Sequence, residues 1–282
     1  LAREDPLLMI ELRRDDAVND DIFAPLRRAD MALYRLIPGG GFLAPFYESE
    51  ESDGYLLNVF ACRTTCAGRL AARGLLARAA GEFRRAGSPA PGLDYLLARP
   101  YARQLGERWR AWAARAREAD RALLDALDGY AIAMDDTRTP DVRYGALEAA
   151  YAAARDAMQA RAGAATLAAF VRIAAASGRR AEAVDANRRL FKLAASDDLL
   201  AAPLLPPWPH QETLDATADP ARWLVASVLD AHEQLFHFSS YFKKRLAHEE
   251  FGLAADAAVL SAAYAARMRL VTERAVRAGS AS

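Results

Sequence analysis

The chain has 282 residues, 53% of them apolar and 26% charged, with 37 basic side chains balanced by 37 acidic ones. That length buries a sizeable core and accommodates two domains. A formal net charge of zero removes the global field that would favour nucleic acid or an anionic membrane. Two cysteines are too few for a disulfide scaffold. No charge-free apolar run reaches the ~18 residues of a membrane span, and the opening LAREDPLLMIELRRDD lacks the order of a signal peptide. A soluble, cytoplasmic protein is expected.

Residues 6–13 (PLLMIELR) read as a strand, with a proline at its start where the missing N–H is tolerated and an apolar run typical of a strand covered on both faces. Residues 15–21 (DDAVNDD) read as a turn and a helix N-terminus, where carboxylates suit the helix dipole. Ile22, Phe23, Leu26 and Ala29 then mark one apolar helical face. Residues 31–37 (MALYRLI) form a second strand stopped by Pro38 and Gly39–Gly41, and after the acidic stretch 48–53, residues 55–62 (YLLNVFAC) form a third. Short apolar runs bounded by turn residues carry these assignments.

A helix is expected at 64–74 with Gly74 as its C-cap, and AGSPAP at 86–91 is the strongest linker signal. From Leu93 the periodicity is helical, with helices at 101–134, 142–162, 166–177 and 180–195. The stretch 166–195 is similar to one tetratricopeptide helix hairpin. Without at least about three copies such a hairpin makes no solenoid, so ordinary hairpin packing is expected. LLAAPLLPPWP at 199–209 cannot be regular helix, because its prolines remove donors; it is expected to run extended with Trp208 as an anchor. Asp219-Pro220 supplies an N-cap and a proline at N1 for the next helix. A final amphipathic helix is expected at 254–277.

No complete active site can be read from residue types. His232 and His237 are five apart, which places them on different helix faces, not on the shared face that a zinc-protease helix needs. His232 is expected to be a core or rim histidine beside aromatic side chains, and His248-Glu249-Glu250 a solvated helix face. Cys62 and Cys66 lack the further ligands of a metal centre, so two reduced structural thiols and no metal are expected. Gly39–Gly41 is followed by Phe-Leu-Ala-Pro-Phe, which is no helix start, so the run reads as a flexible turn and not as a phosphate loop. In the Arg-rich stretch 99–121, Glu107, Glu118 and Asp120 are interspersed, which describes a charge-laced surface with Trp109 and Trp112 packed inward.

Three stretches resemble the C-terminal third of FkbM-type methyltransferases: PLLMIELR, RRADMALYRLIPGGGFLAPF, and YLLNVFACRTTCAGRLAARGLL. The resemblance covers residues 1–77 with aligned spacing. It implies the fifth, sixth and seventh strands of a class I methyltransferase-like sheet, the last antiparallel and inserted between the other two. It implies S-adenosylmethionine as cofactor and methyl transfer to an oxygen of a sugar or natural product. The glycine-rich loop and strand-ending acid that hold the cofactor in such folds do not occur here; they are expected upstream of Leu1, so this chain alone is expected to be inactive. The missing Met points the same way. No catalytic or cofactor-binding residue can be transferred to a numbered position. Glu11, ending the first strand, stands where such sheets place site residues, and it is read as an ordinary strand-end carboxylate.

The expectation is therefore an α/β fragment at 1–77 followed by a mainly α-helical extension at 78–282. The implied function is that of the C-terminal part of an S-adenosylmethionine-dependent methyltransferase with a small-molecule or glycan acceptor. The alternative is a non-catalytic helical interaction module carrying a relic α/β head. Neither nucleic acid nor membrane is expected as a partner; self-association is, through the helical region or through an unpaired edge at residues 6–13.

Overall fold

In the computed structural model, which describes residues 5–14, 17–18, 20–47, 58–82, 91–194, 198–236, 245–256 and 258–279, the N-terminal part is a small sheet between two helices. In chain order its elements are β1 (Leu8–Glu11), β2 (Arg13–Arg14), β3 (Ala17–Val18), α1 (Phe23–Arg28), β4 (Ala32–Ile37), β5 (Phe42–Pro45), β6 (Asn58–Cys62) and α2 (Thr64–Ala72). Among the described residues β2 and β3 pair only with each other. The other strands form one sheet in the order β1-β6-β4-β5. β6 lies between β1 and β4 and is antiparallel to both, with Met9 opposite Phe60 and Tyr34 also opposite Phe60. β1 and β4 therefore run parallel, and α1 is their crossover, as parallel strands require.

Alternation along the strands sends side chains to opposite faces. Ile10, Leu33, Val59 and Phe46 meet Phe23 of α1 on one face. Tyr34, Phe60, Cys62 and Leu43 meet Cys66 and Leu70 of α2 on the other. Gly74 follows α2 at φ +71°, the left-handed conformation that glycine adopts without strain at a helix end.

Three local expectations need correction. Residues 42–45 form a strand, because the Pro38–Gly41 turn folds the chain back on itself with Leu36 opposite Leu43 and Ile37 opposite Phe42. The turn is also not loose: the Gly39 amide donates to the Ala176 carbonyl at 2.9 Å, and a Cβ on Gly39 would lie 2.5 Å from the Ala176 Cβ. At 17–18 there is a short strand, and the helix begins only with a 3-10 turn at Asp20–Ile22. Residues 15–16, 19, 48–57 and the linker at 83–90 lie outside the described residues.

The helical part comprises α3 (Pro91–Leu97), α4 (Gly106–Ala114), α5 (Glu118–Ala133), α6 (Pro140–Ala160), α7 (Ala164–Ala176), α8 (Arg180–Phe191), α9 (Pro220–Leu235), α10 (Ala247–Glu250) and α11 (Ala262–Gly279). The single helix expected at 101–134 is divided. Pro100 opens a 3-10 segment at Pro100–Leu105, and the chain turns again at 115–117, where the Asp120 carboxylate accepts from the Arg117 amide at 3.3 Å. The last helix starts at Ala262, not 254, because Ser261 caps it: its hydroxyl oxygen accepts from the Tyr264 amide at 3.1 Å. Asp219 caps α9 as expected, accepting from the Arg222 amide at 3.0 Å. No helix among the described residues is long and apolar enough to cross a membrane.

α7 is buried from Thr166 to Ala176, the condition of a helix enclosed on all sides. It turns through Gly178 into α8, and the two pack as a hairpin. The segment 199–209 crosses this body without the extended course expected throughout, turning at 198–202 and entering a 3-10 turn at Pro209, with Leu204 and Leu205 fully buried. Lacking a ladder, its carbonyls are satisfied by side chains: Trp109 Nε1 donates to Leu200 at 2.9 Å and the Tyr101 hydroxyl to Leu204 at 2.8 Å. Those contacts are its anchors; Trp208 is only half-buried.

The sheet and the helices share one core. Ile37, Phe42, Ala44 and Ala77 belong to the same buried cluster as Trp109, Leu147, Phe170 and Trp223. Buried Arg35 on β4 ties the two together, donating to the Ser177 carbonyl at 2.8 Å and lying 3.5 Å from Glu148. Arg179 holds Glu148 by two hydrogen bonds, at 3.0 and 2.6 Å.

Candidate functional site

In open α/β sheets, ligands bind beyond the carboxyl ends of the strands. β1 and β4 end at Glu11 and Ile37 on the same edge of this sheet. Directly beyond β4, the Pro38-Gly39 turn meets the helical body and leaves a cleft of about 500 Å³, within the usual size of small-molecule sites. Met134 at the end of α5, Ala175 and Ala176 at the end of α7, and Gln234 and Leu235 at the end of α9 form its walls, with Trp208 on one side. Glu11 is exposed, stands opposite Asn58, and is not brought into the cleft.

The polar side of the cleft is made by Tyr130, Arg172 and Arg180. Arg172 is the lone charged residue in the apolar helix AATLAAFVRIAAA. Its Nε donates to the Tyr130 hydroxyl at 2.8 Å, Nη2 to Glu212 Oε1 at 2.5 Å, and Nη1 to the Pro206 carbonyl at 3.4 Å. Glu212 also lies 3.4 Å from Arg99, whose guanidinium sits 4.3 Å above the Tyr95 ring. Tyr95 in turn meets Tyr130 edge-on at 5.8 Å. Burial pushes the Tyr130 phenol up to about 12, against the opposing pull of Arg172. The phenol therefore keeps its proton throughout the neutral range.

Helix C-termini carry partial negative charge, and those facing this cleft are covered. The Ala176 carbonyl takes the Gly39 amide, and Arg180 donates to the Leu235 and Gln234 carbonyls at 2.8 and 3.4 Å.

The other candidate residues lie elsewhere. His232 is buried as expected, stacked on Phe236 at 5.1 Å and edge-on to Phe251, with Nε2 3.0 Å from Glu250. His237 lies outside the described residues. Glu249 and Glu250 are exposed, as a solvated helix face implies, while His248 is half-buried. The His248 ring is 3.0 Å from the Tyr264 hydroxyl, and Glu249 accepts from the Leu246 amide at 2.7 Å. α10 is a single turn between α9 and α11, so His248 and Glu250 meet partners on those helices while Glu249 caps its own turn. Near it the buried Asp230 accepts from the Ser261 hydroxyl at 2.5 Å and from Gln211 at 3.0 Å; burial holds its carboxyl above the usual range.

Cys62 and Cys66 are free and buried, and burial followed by the neighbouring Cys66 pushes the Cys62 thiol up to about 12. No group of three or more His, Cys, Asp or Glu among the described residues could hold a metal ion. Trp109 is fully buried against Tyr101, and Trp112 packs on the core from a half-buried position. A second groove of about 500 Å³ beside α8 and α9 is lined mainly by apolar side chains, with the Arg222–Asp256 ion pair in its wall.

Tyr130, Arg172, Arg180 and Glu212 were not among the residues expected from the sequence. The one available signal was Arg172, because an arginine flanked by apolar residues on every helical face must be buried and paired. No protein-family model, curated protein or solved structure matches this chain.

Proposed function

We propose that the chain is the C-terminal part of an S-adenosylmethionine-dependent methyltransferase of FkbM type, transferring a methyl group to a hydroxyl of a sugar or natural product. The observation that carries this reading is the strand order. β1, α1 and β4 form a parallel crossover, and β6 enters antiparallel between the two strands. That is the arrangement the resemblance implies for the fifth, seventh and sixth strands. The outer edge of β1, which pairs with nothing among the described residues and where Leu7 and Met9 are 40% and 67% exposed, is then the place where the cofactor-binding half of the sheet would pair.

On this reading the cleft beyond β4 receives the methyl acceptor. Holding nucleophile, methyl carbon and leaving sulfur in line supplies much of the acceleration in such a transfer. The described lining holds no His, Cys, Asp or Glu, and the Tyr130 phenol stays protonated. A general base for the hydroxyl would therefore come from outside these lining residues.

The test is the DNA upstream of the Leu1 codon. An open frame encoding a strand, a glycine-rich loop and a strand-ending acid is expected. A stop codon followed by a start site beside Leu1 would overturn the reading and put the helical interaction module in its place.

A further inference from the structure

The cleft beyond β4 is floored by hydrogen-bond donors. An arginine has five N–H groups, and Arg172 uses three of them on Tyr130, Glu212 and Pro206, the last at 3.4 Å. That leaves two, one on each terminal nitrogen, on a side chain 7% exposed that lines the cleft. The Tyr130 oxygen accepts from Arg172, and among the described residues nothing accepts the Tyr130 proton. A buried donor without an acceptor is costly, and both side chains line the cleft.

Charge points the same way. The described lining contains two arginines and no acid. Behind it a single carboxylate, Glu212, is shared by Arg172 and Arg99, so that group carries one excess positive charge. Apart from Gln234, the rest of the wall is apolar or aromatic, with Met134, Leu235 and the Trp208 ring among its side chains. Donors on the floor, positive charge and apolar sides together specify an oxyanion attached to a flat apolar body.

We propose that this cleft binds a small aromatic organic acid, its anionic group received by Arg172 and the Tyr130 hydroxyl and its ring held beside Trp208. The inference uses the same cleft as the proposed acceptor site, but its test reads binding alone. It can fail while the methyltransferase reading stands, and the converse also holds.

Two probes with one body separate the charge from the apolar contact: 8-anilino-1-naphthalenesulfonate and uncharged N-phenyl-1-naphthylamine. Calorimetric titration of the whole chain is expected to give one sulfonate bound per chain. The uncharged probe should bind at least about tenfold more weakly, as loss of a charge-assisted hydrogen bond implies. Tyr130→Phe keeps the ring and should weaken the sulfonate several-fold while leaving the uncharged probe unchanged. Ala175→Phe, which fills the cleft, should abolish binding of the sulfonate with the near-ultraviolet circular dichroism unaltered. No binding of the sulfonate, equal binding of the two probes, or sulfonate binding that survives Ala175→Phe would each overturn the proposal.

Discussion

At β5 the sheet closes against the rest of the molecule. Leu43 exchanges backbone hydrogen bonds with the segment after α2, donating to Leu75 at 2.9 Å and accepting from Ala77 at 2.8 Å. Ile37, Phe42 and Ala44 enter the main core, and Arg35 reaches Ser177 and Glu148. At β1, on the opposite edge, nothing among the described residues pairs with the outer side of the strand, and Met9 is 67% exposed. Natural sheets blunt free edges with charge, proline or cover, because an open one recruits another strand. The contrast is between an edge closed against the helical body and one without a partner among the described residues; on the proposed reading the second edge is where a further half-sheet would pair.

Substitutions at the two edges can break that comparison. Phe42→Ala, at the closed edge, is expected to cost about 3–5 kcal/mol, as for other buried aromatics, while Met9→Ala at the open edge should change stability by less than about 0.5 kcal/mol. Denaturant midpoints measure both, and equal costs would mean that the edges do not differ. Arg35→Ala should cost about 1–3 kcal/mol by leaving the Ser177 carbonyl without its partner. A double-mutant cycle with Glu148→Gln apportions the share carried by the 3.5 Å ion pair. Met9→Lys is a smaller perturbation still. It should leave the midpoint within about 0.5 kcal/mol, yet abolish the concentration-dependent rise in scattering mass expected of the unsubstituted chain. A chain that is monomeric at high concentration without the substitution would show the edge to be covered.

The smallest effect near neutrality belongs to the paired thiols between β6 and α2. A thiol raised from 9 to about 12 by burial favours the folded state while protonated. Its contribution is complete below pH 9 and lost as pH climbs towards 12. At pH 9 the thiolate fraction of Cys62 is on the order of a thousandth, so alkylation should be far slower in the native protein than in denaturant. Equal rates would contradict the packing of α2 on the sheet.

Local chemistry made much of this architecture legible. The apolar runs marked β1, β4 and β6; Asp219-Pro220 and Gly74 marked helix ends. β5 was hidden because three glycines and Pro45 interrupt its alternation, although the glycines are what make the hairpin turn. The break at 115–117 was hidden because it carries neither glycine nor proline. Ser261 caps α11 from inside a stretch that reads as continuous helix. The cleft was the least visible feature. Pro38, Tyr130, Arg172, Trp208 and Leu235 come from five separated segments, and only the tertiary fold brings them together. Of these, Arg172 alone contradicts its local context enough to announce a buried partner.

The central claim, half of a methyltransferase sheet awaiting its cofactor-binding half, is tested most directly by calorimetric titration with S-adenosylmethionine. It should be carried out on this chain and on the product of the complete reading frame that contains it. The account predicts no heat of binding for the chain alone and one cofactor per molecule for the complete product. Binding by the chain alone, or none by the complete product, would contradict it.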